Sequence, residues 1–200
     1  ATPLPKPRGG KPCPSGHALS DDFSTNKFGV QWSFFNPRPD EMQRVRYGDH
    51  ALQVAGKGTA LADSSPLTFV TGDRSYEMDV TIELGRSGAE AGITLFYSER
   101  MFCGIGFNGD EIVNYIYGEE QKWMRQKMPA QTVRLKLRNE ENIVTLHYAI
   151  DGRPWVKYQQ QMEVSGFNHN VFGGFLSLKP GLFCAGGGSA TFRDFRYRGL

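Results

Sequence analysis

From Tyr76 to Leu84 the chain reads YEMDVTIEL, with Tyr76, Met78, Val80, Ile82 and Leu84 alternating with Glu77, Asp79, Thr81 and Glu83. Successive side chains of a strand point to opposite faces, so one face here is apolar and the other acidic. Such a strand has one side on a core and one in water, as in an antiparallel sheet. The turn GRSGAE (85–90) and the run AGITLFYS (91–98) predict a return strand, making 76–98 a hairpin. No other stretch shows the period of a long helix, so this sheet must be covered by a second sheet.

The rest of the chain supplies that second layer. QWSFFNP (31–37) reads as a strand stopped by Pro37 and Pro39, and RVRY-GD-HALQVAG as a hairpin around Gly48 and Asp49. FCGIGF and IVNYIY flank Asn108-Gly109-Asp110, a strong hairpin signal. QTVRLKLRN buries Val133, Leu135 and Leu137 and shows Arg134, Lys136 and Arg138 to water, where they can face the acids of 77–83. NIVTLHYAIDGRPWVKY predicts a hairpin turning at Asp151-Gly152, with Trp155 packed under it, and MEVSGFNHNVFG is irregular. Phe192 and Phe195 break alternation in the last strand and predict a bulge. About a dozen short strands without helices predict an all-β fold, a two-sheet antiparallel β-sandwich or jelly roll.

Two hundred residues suit one such domain, expected over 19–200, preceded by a Pro/Gly-rich linker arm at 1–18. The arm and the missing start Met predict a chain processed or cut from something larger. A net charge of +2 without a Lys/Arg patch argues against nucleic acid, and no apolar run reaches membrane length. Cys13, Cys103 and Cys184 lack metal spacing. Cys103 and Cys184 read as core residues, with a disulfide left open and the compartment undecided.

Glu77, Asp79 and Glu83 imitate the acids of sandwich glycosidases. Glu77 and Glu83 are six residues apart, roughly 20 Å along a strand. A retaining pair needs about 5–5.5 Å, which excludes Glu77 with Glu83. Glu77 with Asp79 could act together, but the acid that should follow at position 81 is Thr81, so these acids read as a solvated face. The histidines lack ligand spacing, and no nucleophile motif is present. Asp22 and Asp194, on terminal strands expected side by side, are candidates for a structural calcium; no other cofactor is expected. Sugar rings present apolar C–H faces that stack on flat aromatics. Trp32, Phe34, Tyr97, Tyr115, Tyr117 and Trp123 are the candidates for such a platform, each with core packing as its other reading.

Nine segments then align with a known family: LSDDFS, QWSFFNP, SPLTF, AGITLFYS, CGIGFN, RLKLRN, DGRPW, EVSGFNHNV and LSLKPGLFCAGG. Residues 19–200 resemble the C-terminal concanavalin A-like sandwich of glycoside hydrolase family 43, the β-xylosidase and α-L-arabinofuranosidase group, also described as carbohydrate-binding module family 91. The resemblance implies a bacterial accessory domain, with the catalytic carboxylates on a five-bladed propeller expected N-terminal to it. It implies a non-catalytic module that binds xylan or xylo-oligosaccharides. The alternative is a structural domain that docks on the propeller and completes its active site, with Phe167, His169 and Asn170 of the irregular loop as contacts.

Overall fold

The computed structural model describes residues 18–84, 88–150 and 152–200. Among the described residues, two antiparallel sheets enclose one main core. The eight-stranded sheet runs β1 (Ser33–Phe34), β4 (Leu67–Thr68), β14 (Lys179–Gly186), β6 (Ala89–Ser98), β7 (Met101–Phe107), β8 (Glu111–Ile116) and β10 (Gln126–Lys127), with β9 (Glu119–Glu120) also beside β8. The seven-stranded sheet runs β13 (Val156–Glu163), β12 (Ile143–Ile150), β11 (Thr132–Glu140), β5 (Tyr76–Leu84), β15 (Ser189–Gly199), β3 (Ala51–Ala55) and β2 (Val45–Gly48). The single α-helical turn among the described residues, α1, spans His169–Phe172, and no helix there could cross a membrane.

β5 is the central strand that its alternation predicts. Met78, Val80 and Ile82 are fully buried, and the acids lie on the outer face. There Lys136 sits opposite Asp79, and Arg138 opposite Glu77. Glu77 meets Arg138 at 3.6 Å and Arg198 at 2.8 Å; Asp79 meets Arg134 at 3.5 Å and Glu83 meets Arg193 at 3.0 Å. Exposed pairs of this kind contribute about 0–1 kcal/mol each, so they set register more than stability. Trp155 lies over the same face, its ring under the cations of Arg134 (4.6 Å) and Lys136 (4.5 Å).

The hairpin expected over 76–98 does not form. β5 pairs with β11 and β15, whereas β6 pairs with β7 and β14 in the opposite sheet. The reason lies in β6 itself: Gly92 through Tyr97 are buried on both faces, unlike the one-sided β5. A strand apolar on both sides belongs where both sides are covered. The other three hairpins form as expected: β2–β3, β7–β8 and β12–β13. The last strand bulges between Arg193 and Arg196. Residues 1–17 of the arm, with Cys13, and the Asp151 turn position lie outside the described residues.

A second apolar cluster covers the outer face of the eight-stranded sheet. Phe96, Phe102, Val113, Tyr115 and Phe183 pack there beneath Leu61 of a 3-10 turn, Leu61–Asp63. The rings lie against a glycine floor: a Cβ on Gly92 would collide with the Ile105 carbonyl oxygen and the Phe183 ring. Cys103 and Cys184 are free and buried, and burial pushes their thiols up to about 12 and about 11. They behave as small core residues.

Candidate functional site

Four of the six candidate platform aromatics are core residues and present no face to a sugar. Trp32 is fully buried between Phe69 and Phe195, each at 5.1 Å, and donates its indole N–H to Asp21 at 2.8 Å. Asp21 in turn holds Lys27 at 3.0 Å, which compensates its buried charge. Phe34 packs on Phe28, with Arg44 over its ring. Tyr97 lies under the loop described next, and Tyr115 belongs to the outer-face cluster. In each case alternation put an aromatic on the face that a neighbouring element happens to cover. Tyr117 and Trp123 are the two that stay exposed, Trp123 at 80%, with its indole N–H 3.3 Å from the Gln121 amide oxygen.

The irregular segment, residues 164–178, forms an anchored projection at one rim. Phe167 is its root, buried against Tyr117 at 5.7 Å and Phe172 at 6.5 Å. Asn168 caps α1: its side chain accepts from the Asn170 N–H at 3.0 Å and donates to the Ser165 carbonyl at 2.7 Å. From below, the Tyr97 hydroxyl donates to the Gly173 carbonyl. Gly173 and Gly174 take φ of 71° and 82°, and Phe175 follows at 50°. A left-handed conformation is costly for a bulky aromatic. Phe175 nevertheless stands 91% exposed, its ring stacked on His169 at 5.3 Å. Val171, Phe172 and Leu176 extend the apolar surface beside it. So His169 and Asn170 are exposed as a docking surface needs, while Phe167 is the anchor rather than a contact. Phe175 went unread in the sequence. Its signal is the VFGGF run, in which two glycines before an aromatic leave it no strand face to pack on.

The third feature is a cleft of ≈ 700 Å³ at the edge of the outer-face cluster, lined by Thr59, Glu90, Asn108, Asp110, Glu111 and Lys127 among others. Glu90, from β6, accepts a hydrogen bond from the Tyr115 hydroxyl. Burial pushes its carboxyl up to about 7, against the Tyr115 hydrogen bond, which favours the charged form. The same burial, with Glu90 beside it, raises the Tyr115 hydroxyl. Of the lining residues, Glu111 pairs with Arg125 at 3.0 Å, and Arg125 also meets Glu120 at 2.6 Å.

With this geometry in hand, similarity to known proteins places the chain. A family model described as the β-xylosidase C-terminal concanavalin A-like domain matches residues 20–198. The chain belongs to this family. Among solved structures, the GH43 BlXynB protein from Bacillus licheniformis superposes with a TM-score of 0.76 at 19% identity, covering 91% of this chain and 39% of that one. Xylan β-1,4-xylosidase from Bacillus halodurans C-125 gives 0.74 at 17%, covering 98% and 41%. Bacteroides ovatus Xyloglucan PUL GH43B gives 0.75 at 16%, covering 92% and 40%. At these identities the likeness establishes a shared fold, and the chain spans about two fifths of the length of those proteins. No curated protein matches it.

For an accessory domain of family 43 glycosidases, the fate of its acids is informative. Glu77, Asp79 and Glu83 are each engaged by arginines of the neighbouring strands, as a solvated ion-pair face would be. The terminal strands do lie side by side, with Asp21 bridged to Phe195. Asp22 nonetheless spends its carboxylate on Ser24 at 2.7 Å and His50 at 3.4 Å, and the Ser24 bonds hold it down at about 2. Among the described residues no group of three or more His, Cys, Asp or Glu could hold a metal ion. Asp22 and Asp194 both lie on these terminal segments, Asp194 exposed within the bulge at a φ of 51°.

Proposed function

We propose that this domain docks through residues 164–178 onto the catalytic domain of a family 43 glycoside hydrolase and helps to shape that domain's substrate pocket. One observation carries this reading: Phe175 is held 91% exposed in a left-handed conformation on a loop anchored by Phe167, Asn168 and Tyr97. The exposed aromatic surface costs stability in a free domain and is recovered when a partner covers the ring, while the left-handed backbone holds the ring out for that contact. Membership of a family described as the C-terminal domain of β-xylosidase supports a catalytic partner in the same enzyme. With the catalytic domain of the same enzyme supplied in trans, Phe175→Ser should weaken association about tenfold or more with an unchanged melting temperature. Equal affinity, measured by calorimetry, would remove the loop from the interface.

A second reading, binding of xylan or xylo-oligosaccharides, is favoured by the exposed Trp123 ring and by the polar cleft beside Glu90. Affinity electrophoresis in gels cast with β-1,4-xylan tests it. Retardation supports it, and unretarded migration ends it.

A further inference from the structure

We propose that the cleft at the outer edge of β6, β7 and β8 is a binding site for a neutral oligosaccharide of two or three pentose or hexose units, with the Glu90 carboxyl as its central hydrogen-bonding group. This deepens the sugar-binding reading and is independent of the docking loop. The cleft's ≈ 700 Å³ lies within the usual range for small-ligand sites. Its lining mixes polar groups with the exposed C–H surface of Pro129, the combination a saccharide presents in reverse. Glu90 is fixed from behind: Tyr115 holds Oε1, and Oε2 has no hydrogen-bond partner among the described residues. Asn108 is likewise preset, its side-chain oxygen accepting from the Asp110 and Glu111 N–H groups, which leaves its NH₂ without a partner among the described residues. This half-buried carboxyl, fixed from behind and with no cation in contact, is placed to give or take one bond from a hydroxyl. The charge balance selects the ligand. Glu90, Asp110 and Glu111 outnumber Lys127, and Glu111 is compensated by Arg125, so a uronate would be disfavoured.

The test is an amide-resolved NMR titration of the 200-residue chain with xylotriose, arabinotriose and cellotriose at millimolar concentration. Binding should shift the amides of Gly88, Asn108, Asp110 and Lys127 with at least one of the three. Glu90→Ala should weaken that binding about tenfold, the factor one ligand hydrogen bond carries. Should that variant unfold, the exposed rim variants Asp110→Ala and Lys127→Ala decide: weaker binding in either supports the site, and unchanged binding in both overturns it. A glucuronate-substituted trisaccharide binding as tightly would overturn the preference for a neutral ligand. Shifts confined to Trp123 would overturn the cleft while leaving sugar binding intact. Silence with all three sugars would overturn both, without touching the docking loop.

Discussion

Glu90 shows how one side chain couples burial to pH. Its carboxyl titrates near 7 in the folded chain, against about 4.5 when unfolded. Between those values the native state keeps a proton that the unfolded chain has released. The contribution of Glu90 to stability is therefore fully present below about 4.5, declines as pH rises, and levels off above about 7. Comparing pH 5 with pH 8, the wild type should lose on the order of 1–3 kcal/mol more than Glu90→Gln in urea unfolding. The difference between the two proteins isolates Glu90 from His147, whose pKa burial lowers and which shifts stability in the opposite sense. Identical slopes would show that the Glu90 proton is not linked to folding.

At the level of elements, the 3-10 turn Leu61–Asp63 does what a helix does for other sheets: it covers an apolar outer face. Asp63 fixes the turn by accepting from the Thr59 and Ala60 N–H groups at 2.9 Å, and Leu61 is fully buried over the aromatic cluster. Leu61→Ala leaves a cavity above Phe96 and Phe102 and should cost about 2–4 kcal/mol, seen as a lower melting temperature. A loss below about 1 kcal/mol would mean that the turn is a loose lid rather than part of the core. The same cover explains β6, which needs a second apolar contact surface that β5 does not.

For the whole molecule, the chain order of the strands sets the kinetics. β15 pairs with β3 and β5, and β14 with β4 and β6, so the sheets close only when distant segments meet. Loop-closure entropy is paid before those contacts form, and the main refolding phase should fall in milliseconds to seconds. Stopped-flow refolding followed by tryptophan fluorescence, with Trp32 in the core as reporter, measures it directly. Completion within microseconds would contradict the topology.

Much of this was legible in the residues alone. The alternation in 76–84 and 133–138 determined which side chains of each strand are buried and which are turned outward, because a period of two sends neighbours to opposite faces; which acids and bases meet was left to the strand pairing. Asn108-Gly109 marked a hairpin through its turn chemistry, and the odd spacing of Phe192 and Phe195 marked the bulge. Three things waited for the tertiary structure: the partner of β6, the burial of Trp32, Phe34, Tyr97 and Tyr115, and the exposure of Phe175. Local sequence states which face of a strand is apolar, but only the packed chain decides which apolar faces find cover and which are left for a partner.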